Sequence, residues 1–250
     1  MLTIPSKDEL TAERCRRSLR HFVREAWPLV EARPFVSNWH IDCMCDHLEA
    51  VTALEIKRLI INIPPRGMKS LTVGTFWPAW EWLEAPEVRW LFASYAQNLA
   101  TRDSVRARRV IQSMGGTSTG GLLQRVGYQG LLGLLGQDWK LADDQNLKMR
   151  YENDATGYRI STSWHGSATG EGGDRRVVDD PHKADAASSE VQRTSDIEWY
   201  DDTWTTRGAD PATDTEVVIM QRLHEADLTG HLLEKGGWTH LCLPAEYEPS

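Results

Sequence analysis

Arg58-Leu59-Ile60-Ile61-Asn62-Ile63-Pro64-Pro65-Arg66-Gly67-Met68-Lys69-Ser70 is the stretch on which the reading of this chain turns. Its first half is a short apolar run stopped by two prolines, the pattern of a strand buried on both faces in a parallel sheet. Its second half is a tight turn with one glycine that runs into Lys-Ser, where a helix is predicted to begin near Ser70. A strand, a turn and a helix N-terminus aim several backbone N–H groups at one point, and such a point favours an anion. In that layout Pro65 to Leu71 form a phosphate cradle. Lys69 reaches the outer phosphates, and the Ser70 hydroxyl is a hard oxygen ligand for Mg²⁺. The spacing departs from G-x-x-x-x-G-K-[ST]: the first glycine is missing and Met68 precedes the lysine. Taken alone, the segment reads equally as a Pro-Gly turn with a solvated lysine.

Two further strand ends point the same way. Val177-Val178-Asp179-Asp180 is an apolar run ending in acids. A carboxylate at the carboxyl edge of a parallel sheet, beside a phosphate cradle, suits a metal ligand, and its neighbour suits a general base. Asp179 is read as the metal ligand and Asp180 as the base; the bland reading is an Asp-Asp-Pro turn. After the run Glu216–Met220 comes Gln221-Arg222-Leu223-His224. Gln221 there is placed to hydrogen-bond a phosphate or a water, and Arg222 to offset charge; the alternative is a surface turn. All three sites fall at the carboxyl ends of predicted buried strands.

The remaining elements surround these. Ser6 and Glu9 form an S-x-x-E capping box that opens a helix predicted to reach about residue 32. A second helix runs from about residue 38 to 54. It carries His40, Cys43, Cys45 and His47, with Cys45 off the face shared by the other three, so a packed helix is favoured over a zinc site. A helix from about residue 70 contains Pro78, which should kink or shorten it. Residues 89–94 read as a strand and 98–113 as a helix. Arg102, Arg106 and Arg109 lie on one face of that helix and Arg108 off it, as a solvated face or a surface for DNA, nucleotide or a neighbouring subunit. Residues 115–137 are glycine-rich and read as a loop or a loosely structured insertion. Residues 147–151 and 158–163 flank Asn-Asp-Ala-Thr-Gly as a hairpin. A helix over 188–206, a short helix over 228–234 and a last strand over 238–243 complete the pattern. Strands alternating with helices predict one three-layer α/β domain over residues 1–250. Residues 1–57 form its helical lead-in, and the core over 58–250 has a predominantly parallel sheet.

Composition sets outer bounds. The chain has 250 residues, 40% of them hydrophobic and 26% charged, which is ordinary for a globular domain with a buried core. A formal net charge of -8 argues against a domain that coats nucleic acid over its whole surface, so any such contact is local. There is no apolar run long enough to span a membrane. Four unevenly spaced cysteines fit a reducing compartment better than a disulfide framework.

The strings IINIPPRGMKS (60–70), VVDDPHKADAA (177–187) and VVIMQRLHEADLTGHLL (217–233) resemble the motifs of the large terminase subunit of tailed bacteriophages and prophages, over residues of about 39–246. The resemblance implies a RecA-like P-loop NTPase core of the ASCE type. It implies an ATPase using ATP and Mg²⁺ to drive double-stranded DNA into a procapsid, in the cytoplasm of an infected bacterial host. It assigns Lys69 and Ser70 to Walker A, Asp179 to Walker B, Asp180 to the catalytic acid and Gln221–His224 to the coupling motif. Trp39 and His40 stand at the adenine-contacting segment. Arg66 is a P-loop arginine that either stabilises transferring charge or only binds phosphate. The implied partners are portal protein, the small terminase subunit and further copies in a ring. Two departures matter. Asp180 stands where many relatives have glutamate, and Glu171, within 169–175, stands where some supply an arginine to a neighbour. The nuclease domain of full large subunits is not expected within these 250 residues. The rivals are another RecA-like helicase-type motor, a degenerate nucleotide-binding module, and a metal nuclease built on Asp179 and Asp180.

Overall fold

A computed structural model describes residues 4–166, 170–185 and 187–245. The fold is mixed α/β, built on one eight-stranded sheet. In chain order the strands are β1 (Arg58–Asn62), β2 (Trp90–Ser94), β3 (Leu141–Asn146), β4 (Arg150–Asn153), β5 (Tyr158–Ser163), β6 (Arg175–Asp179), β7 (Thr215–Met220) and β8 (Thr239–Cys242). Their order across the sheet is β3-β4-β5-β2-β6-β7-β1-β8. The run from β5 to β8 is parallel throughout, and β3 and β4 extend it antiparallel. The hairpin expected over 147–163 is therefore present as β4 and β5, and β3, which the sequence reading left out, adds a third strand.

Alternation along the central strands explains why both faces are covered. Leu59, Ile61, Phe92, Val177, Val217 and Ile219 enter one core cluster; Ile60, Leu91, Val178, Val218 and Met220 enter the other. Side chains two apart share a face, so a continuous apolar run needs apolar partners on both sides. The first side is packed by the helices α1 (Lys7–Arg17), α2 (Leu19–Ala26) and α3 (Trp39–Thr52), the segment after β1, and α7 (Leu122–Leu134). The second side is packed by the π-helical turn Tyr200–Trp204 and by α9 (Leu228–Lys235), through Tyr200, Trp204, Leu228 and Leu232.

Several elements differ from expectation. The helix predicted from Ser6 to residue 32 is two helices that meet at Ser18, whose φ of -145° is extended. Leu19 N–H, freed by the break, donates to Glu49 Oε1 at 2.7 Å. The capping box at Ser6 is formed as expected. The helix after the turn over 64–68 is α4 (Lys69–Leu71), a π-helical turn Thr72–Phe76 and α5 (Trp77–Glu81), continuous with one another; Pro78 brings no N–H to it, and the Gly74 carbonyl one turn back accepts from Arg159 Nη1 at 2.6 Å instead. Helix α6 spans Gln97–Ile111 and α8 Glu190–Trp199; α8 passes into the Tyr200–Trp204 π-helical turn and a short 3₁₀ turn.

The glycine-rich stretch 115–137 is not a loop throughout. Helix α7 occupies Leu122–Leu134 and is broken at Gly127, with φ of 72°. Gly115 and Gly127 lie backbone to backbone; a Cβ on Gly127 would sit 2.3 Å from Ser113 O. The glycines thus permit a close chain crossing, and the leucines around them fill the core. Tyr128 just after the break donates its hydroxyl to Ala79 O at 2.5 Å. In α3 Cys45 is buried, and His47 Nδ1 pairs with Cys43 O at 2.8 Å. Among the described residues no group of three or more His, Cys, Asp or Glu is arranged to hold a metal. No described helix is long and apolar enough to cross a membrane.

Candidate active site

The three strand ends singled out in the sequence lie side by side. β7 pairs with β1 on one side and β6 on the other, and Asn62, Met220, Ile219 and Asp179 fall at the carboxyl edge in register. The turn after β1 is shaped by unusual backbone: Arg66 has φ of 68° and Met68 φ of 61°, both in the left-handed region that side chains seldom adopt. Between them Gly67 has no room for a side chain, since a Cβ would meet Ile63 Cδ1 at 2.5 Å and Pro64 O at 3.3 Å. Met68 serves as the N-cap of α4 with no side-chain hydrogen bond, so the first amides of the helix have no side-chain acceptor from their cap. Two strained non-glycine residues in one turn are the kind of cost that persists at a site with a task.

Lys69 is buried, and its ammonium forms a salt bridge with Asp180 Oδ1. The same oxygen accepts from Gln221 N–H at 3.2 Å. Asp180 itself has φ of 47°; its N–H donates to Ile219 O at 2.9 Å and its carbonyl accepts from Tyr95 N–H at 3.1 Å. β2 and β7 therefore hold its backbone from both sides, and its carboxylate faces the lysine. Gln221 meets the acid through its backbone amide. Arg222 is committed to its own turn, with Nε on Asp227 Oδ2 at 3.1 Å and Nη2 on the carbonyls of His224 and Glu225.

Asp179 has a different environment. Its Oδ1 is sealed from solvent and has no hydrogen-bond partner. Burial pushes its carboxyl up to about 7, and the charge of Asp180 adds to this; Lys69 and a hydrogen bond from Ser70 pull the other way. A small cavity of about 20 Å³ lies beside it, lined by Asp103, Ser94, Gly74 and Arg159 among others, with room for about one water. An orphaned, buried carboxylate oxygen next to a serine hydroxyl and a second carboxylate is an all-oxygen donor set. It fits Mg²⁺, which keeps several waters and takes one or two protein carboxylates.

A cleft of about 400 Å³ opens on the outer side of the turn, lined by Trp39, His40, Pro64, Pro65, Arg66 and Gly67 among others. Trp39 is 64% exposed, its ring edge-on to His40, and Arg66 is exposed at the rim. The sequence-predicted residues thus divide into two groups. Lys69, Ser70, Asp179, Asp180 and the Gln221 amide form the polar centre; Trp39, His40, Pro65, Arg66 and Gly67 form the cleft beside it. Leu71 faces inward against the core.

Of the arginines on α6, Arg102 and Arg106 are both held by the buried Asp103, and Arg108 donates to Asn146 O at 2.8 Å. Glu171 pairs with Arg150; Thr169 of the same stretch, Ala186 after the acids and Glu246 lie outside the described residues. Sequence reasoning missed Asp103 and Asp227. Both are buried acids on or beside helices, and only their burial marks them. No protein-family model matches the chain, and no curated protein matches it.

Proposed function

We propose that this chain is a Mg²⁺-dependent ATPase, and that it acts as the motor domain of a DNA-packaging terminase large subunit. The observation that carries the ATPase reading is the convergence of Lys69, Ser70, Asp179 and Asp180 at adjoining strand ends, with a buried carboxylate oxygen left unpaired. The terminase reading rests on the three motif strings. The strand order supports a RecA-like core of the ASCE type, since β7 stands as an additional strand between the lysine strand β1 and the acid strand β6.

The chemistry follows from what each group can do. Lys69 holds Asp180, and a polyphosphate competes for the same ammonium. When Lys69 turns to phosphate oxygens, Asp180 is left as a free carboxylate, able to take a proton from a water. The Gln221 amide limits where that carboxylate points. Asp179 and Ser70 would hold Mg²⁺, which when bound supplies positive charge to phosphate oxygens. The exposed Trp39 ring offers a stacking face for a purine, and Arg66 at the rim offers charge to the phosphates. Double-stranded DNA, portal protein, a small terminase subunit, a ring of copies and the cytoplasm of a bacterial host belong to the terminase reading as its partners and setting.

Phosphate release from ATP, with Mg²⁺ or EDTA and with or without linear duplex DNA, tests both levels. Wild-type protein should release phosphate only with Mg²⁺. Lys69→Ala should lose turnover, and Asp180→Asn should bind Mg-ATP nearly normally yet turn over at least about a hundredfold more slowly. Turnover by Lys69→Ala at the wild-type rate would sink the ATPase reading. Mg²⁺-dependent DNA nicking without ATP would favour the nuclease alternative.

A further inference from the structure

His182 stands two residues past Asp180, with only the stiff Pro181 between them, and is 4% exposed. Its Nε2 accepts from Leu228 N–H at 2.9 Å. A nitrogen that accepts an amide proton carries none itself, so Nδ1 bears the ring proton and donates to Asp196 Oδ2 at 2.8 Å. The imidazole is therefore neutral, with one tautomer fixed by its two partners.

Each partner belongs to a different element. Leu228 is the first residue of α9, whose N–H has no acceptor inside its own helix. The preceding Asp227 caps α9 through Gly230 N–H and also collects Arg222 Nε and Leu223 N–H. The turn after β7 and the start of α9 are thus one hydrogen-bonded unit, and His182 is tied to it. Asp196, on α8, also binds His165 and Gln192. At the far end of α9, His231 and Lys235 both meet Asp201 in the π-helical turn that follows α8. Asp201 so ties α9 to the turn that follows α8, and Asp196 reaches α9 through His182, which makes α8 and α9 one block. His182 is the link between that block and the acid turn.

We infer that His182 is a positioning residue that passes the state of Asp180 to the turn after β7 and to the α8–α9 block. The inference rests on the ATPase reading for what changes at Asp180: release from Lys69 when phosphate arrives. Asp180 and His182 are joined only through Pro181, whose φ is locked, so a shift of the Asp180 backbone carries His182 with it. The hydrogen bond to Leu228 then carries that shift into α9. An apolar residue at 182 would fill the space but leave the Leu228 N–H and Asp196 without this partner.

The test separates the clamp from the activity. Asparagine at this position keeps an amide near Nδ1, and glutamine keeps one near Nε2. Hydrogen exchange at Leu228 in nucleotide-free protein reads the clamp directly. His182→Ala and His182→Asn should exchange there about fivefold faster or more, and His182→Gln should stay near wild type. In the second arm, ATP turnover, KM and affinity for a fluorescent ATP analogue are measured. His182→Ala and His182→Asn should lose at least about tenfold in kcat with analogue affinity changed less than threefold, and His182→Gln should recover most of it. Nucleotide should alter exchange across α9 in wild type and in His182→Gln, but not in His182→Asn. Unchanged Leu228 exchange in both His182→Asn and His182→Ala overturns the clamp. A wild-type kcat in His182→Asn, with α9 still responding to nucleotide, overturns the coupling. Absence of nucleotide binding by wild-type protein would instead remove the ATPase reading and, with it, the coupling, while the exchange result still decides the clamp.

Discussion

Asp179→Asn probes the buried acid where its electrostatics are sharpest. The carboxyl is driven from an ordinary 3.8 to about 7, by burial first and by Asp180 second. Its unfolded form ionises near the ordinary value. Between pH 4 and 7 the native state thus holds a proton that the unfolded state has lost, and stability falls as pH rises through that window, by up to about 1.4 kcal/mol per pH unit. Above pH 7 this contribution is flat, because both states are ionised. Asparagine keeps the shape of the neutral acid and cannot ionise. The variant should therefore be more stable than wild type in metal-free buffer, by on the order of 1–2 kcal/mol at pH 5 and on the order of 4 kcal/mol at pH 8. The second figure is a ceiling, since Asp179 as a residue is only half-buried although its Oδ1 is sealed. Urea titrations of both proteins at the two pH values measure the gap. Added Mg²⁺ at pH 8 should stabilise wild type and leave the variant unchanged, through binding to the native state alone. A gap that is equal at pH 5 and pH 8, or a variant less stable at pH 8, would refute the reasoning.

Three further outcomes follow from the packing and the site. Glu81 and Arg175 form an ion pair at 2.7 Å, both nearly free of solvent; Glu81→Ala strands the guanidinium and should cost about 3–5 kcal/mol in chemical denaturation, whereas a loss under about 1 kcal/mol would show the pair to be dispensable. Gly127→Ala puts a Cβ against Ser113 O at a left-handed φ; a loss of at least about 2 kcal/mol is expected, and wild-type thermal stability would mean the crossing is looser than described. Glu171 is paired with Arg150 and offers no guanidinium to a neighbour, so specific ATPase activity should climb with protein concentration only if an arginine elsewhere serves in trans. Arg109, exposed on α6, is then the first to replace with alanine; a rate that is fast and flat with concentration points instead to Arg66 within the same chain.

The local pattern of the chain determined a good deal by itself. Apolar runs ended by proline, acid or glutamine identified β1, β6 and β7, because a strand buried on both faces needs a continuous run and leaves its carboxyl end for polar chemistry. The capping box at Ser6 and the turn before Lys69 were legible for the same reason: their hydrogen bonds and dihedrals are set within a few residues. Pro78 marked the disturbed helix after the turn, though not its π-helical form. Glycine content misled at 115–137, where Gly127 serves a crossing of two backbones and α7 forms around it; composition records how many glycines there are, and the partner chain at each is a matter of packing. The break at Ser18 likewise needs Glu49, which waits on α3 to take the freed amide.

The working contacts of the candidate site were decided only by tertiary structure. Lys69 and Asp180 are separated by 111 residues, His182 and Leu228 by 46, and Asp180 and Gln221 by 41. No periodicity spans such distances; strand order alone brings them together. The sequence named Gln221, and the sheet decided that its backbone amide, set at the end of β7, is what meets the acid. The sequence named Asp179 and Asp180 as a pair. Burial made them unlike, since one carboxylate found a lysine and an amide while the other was sealed beside a cavity, and desolvation is a property of everything packed around a charge rather than of the residues next to it in the chain.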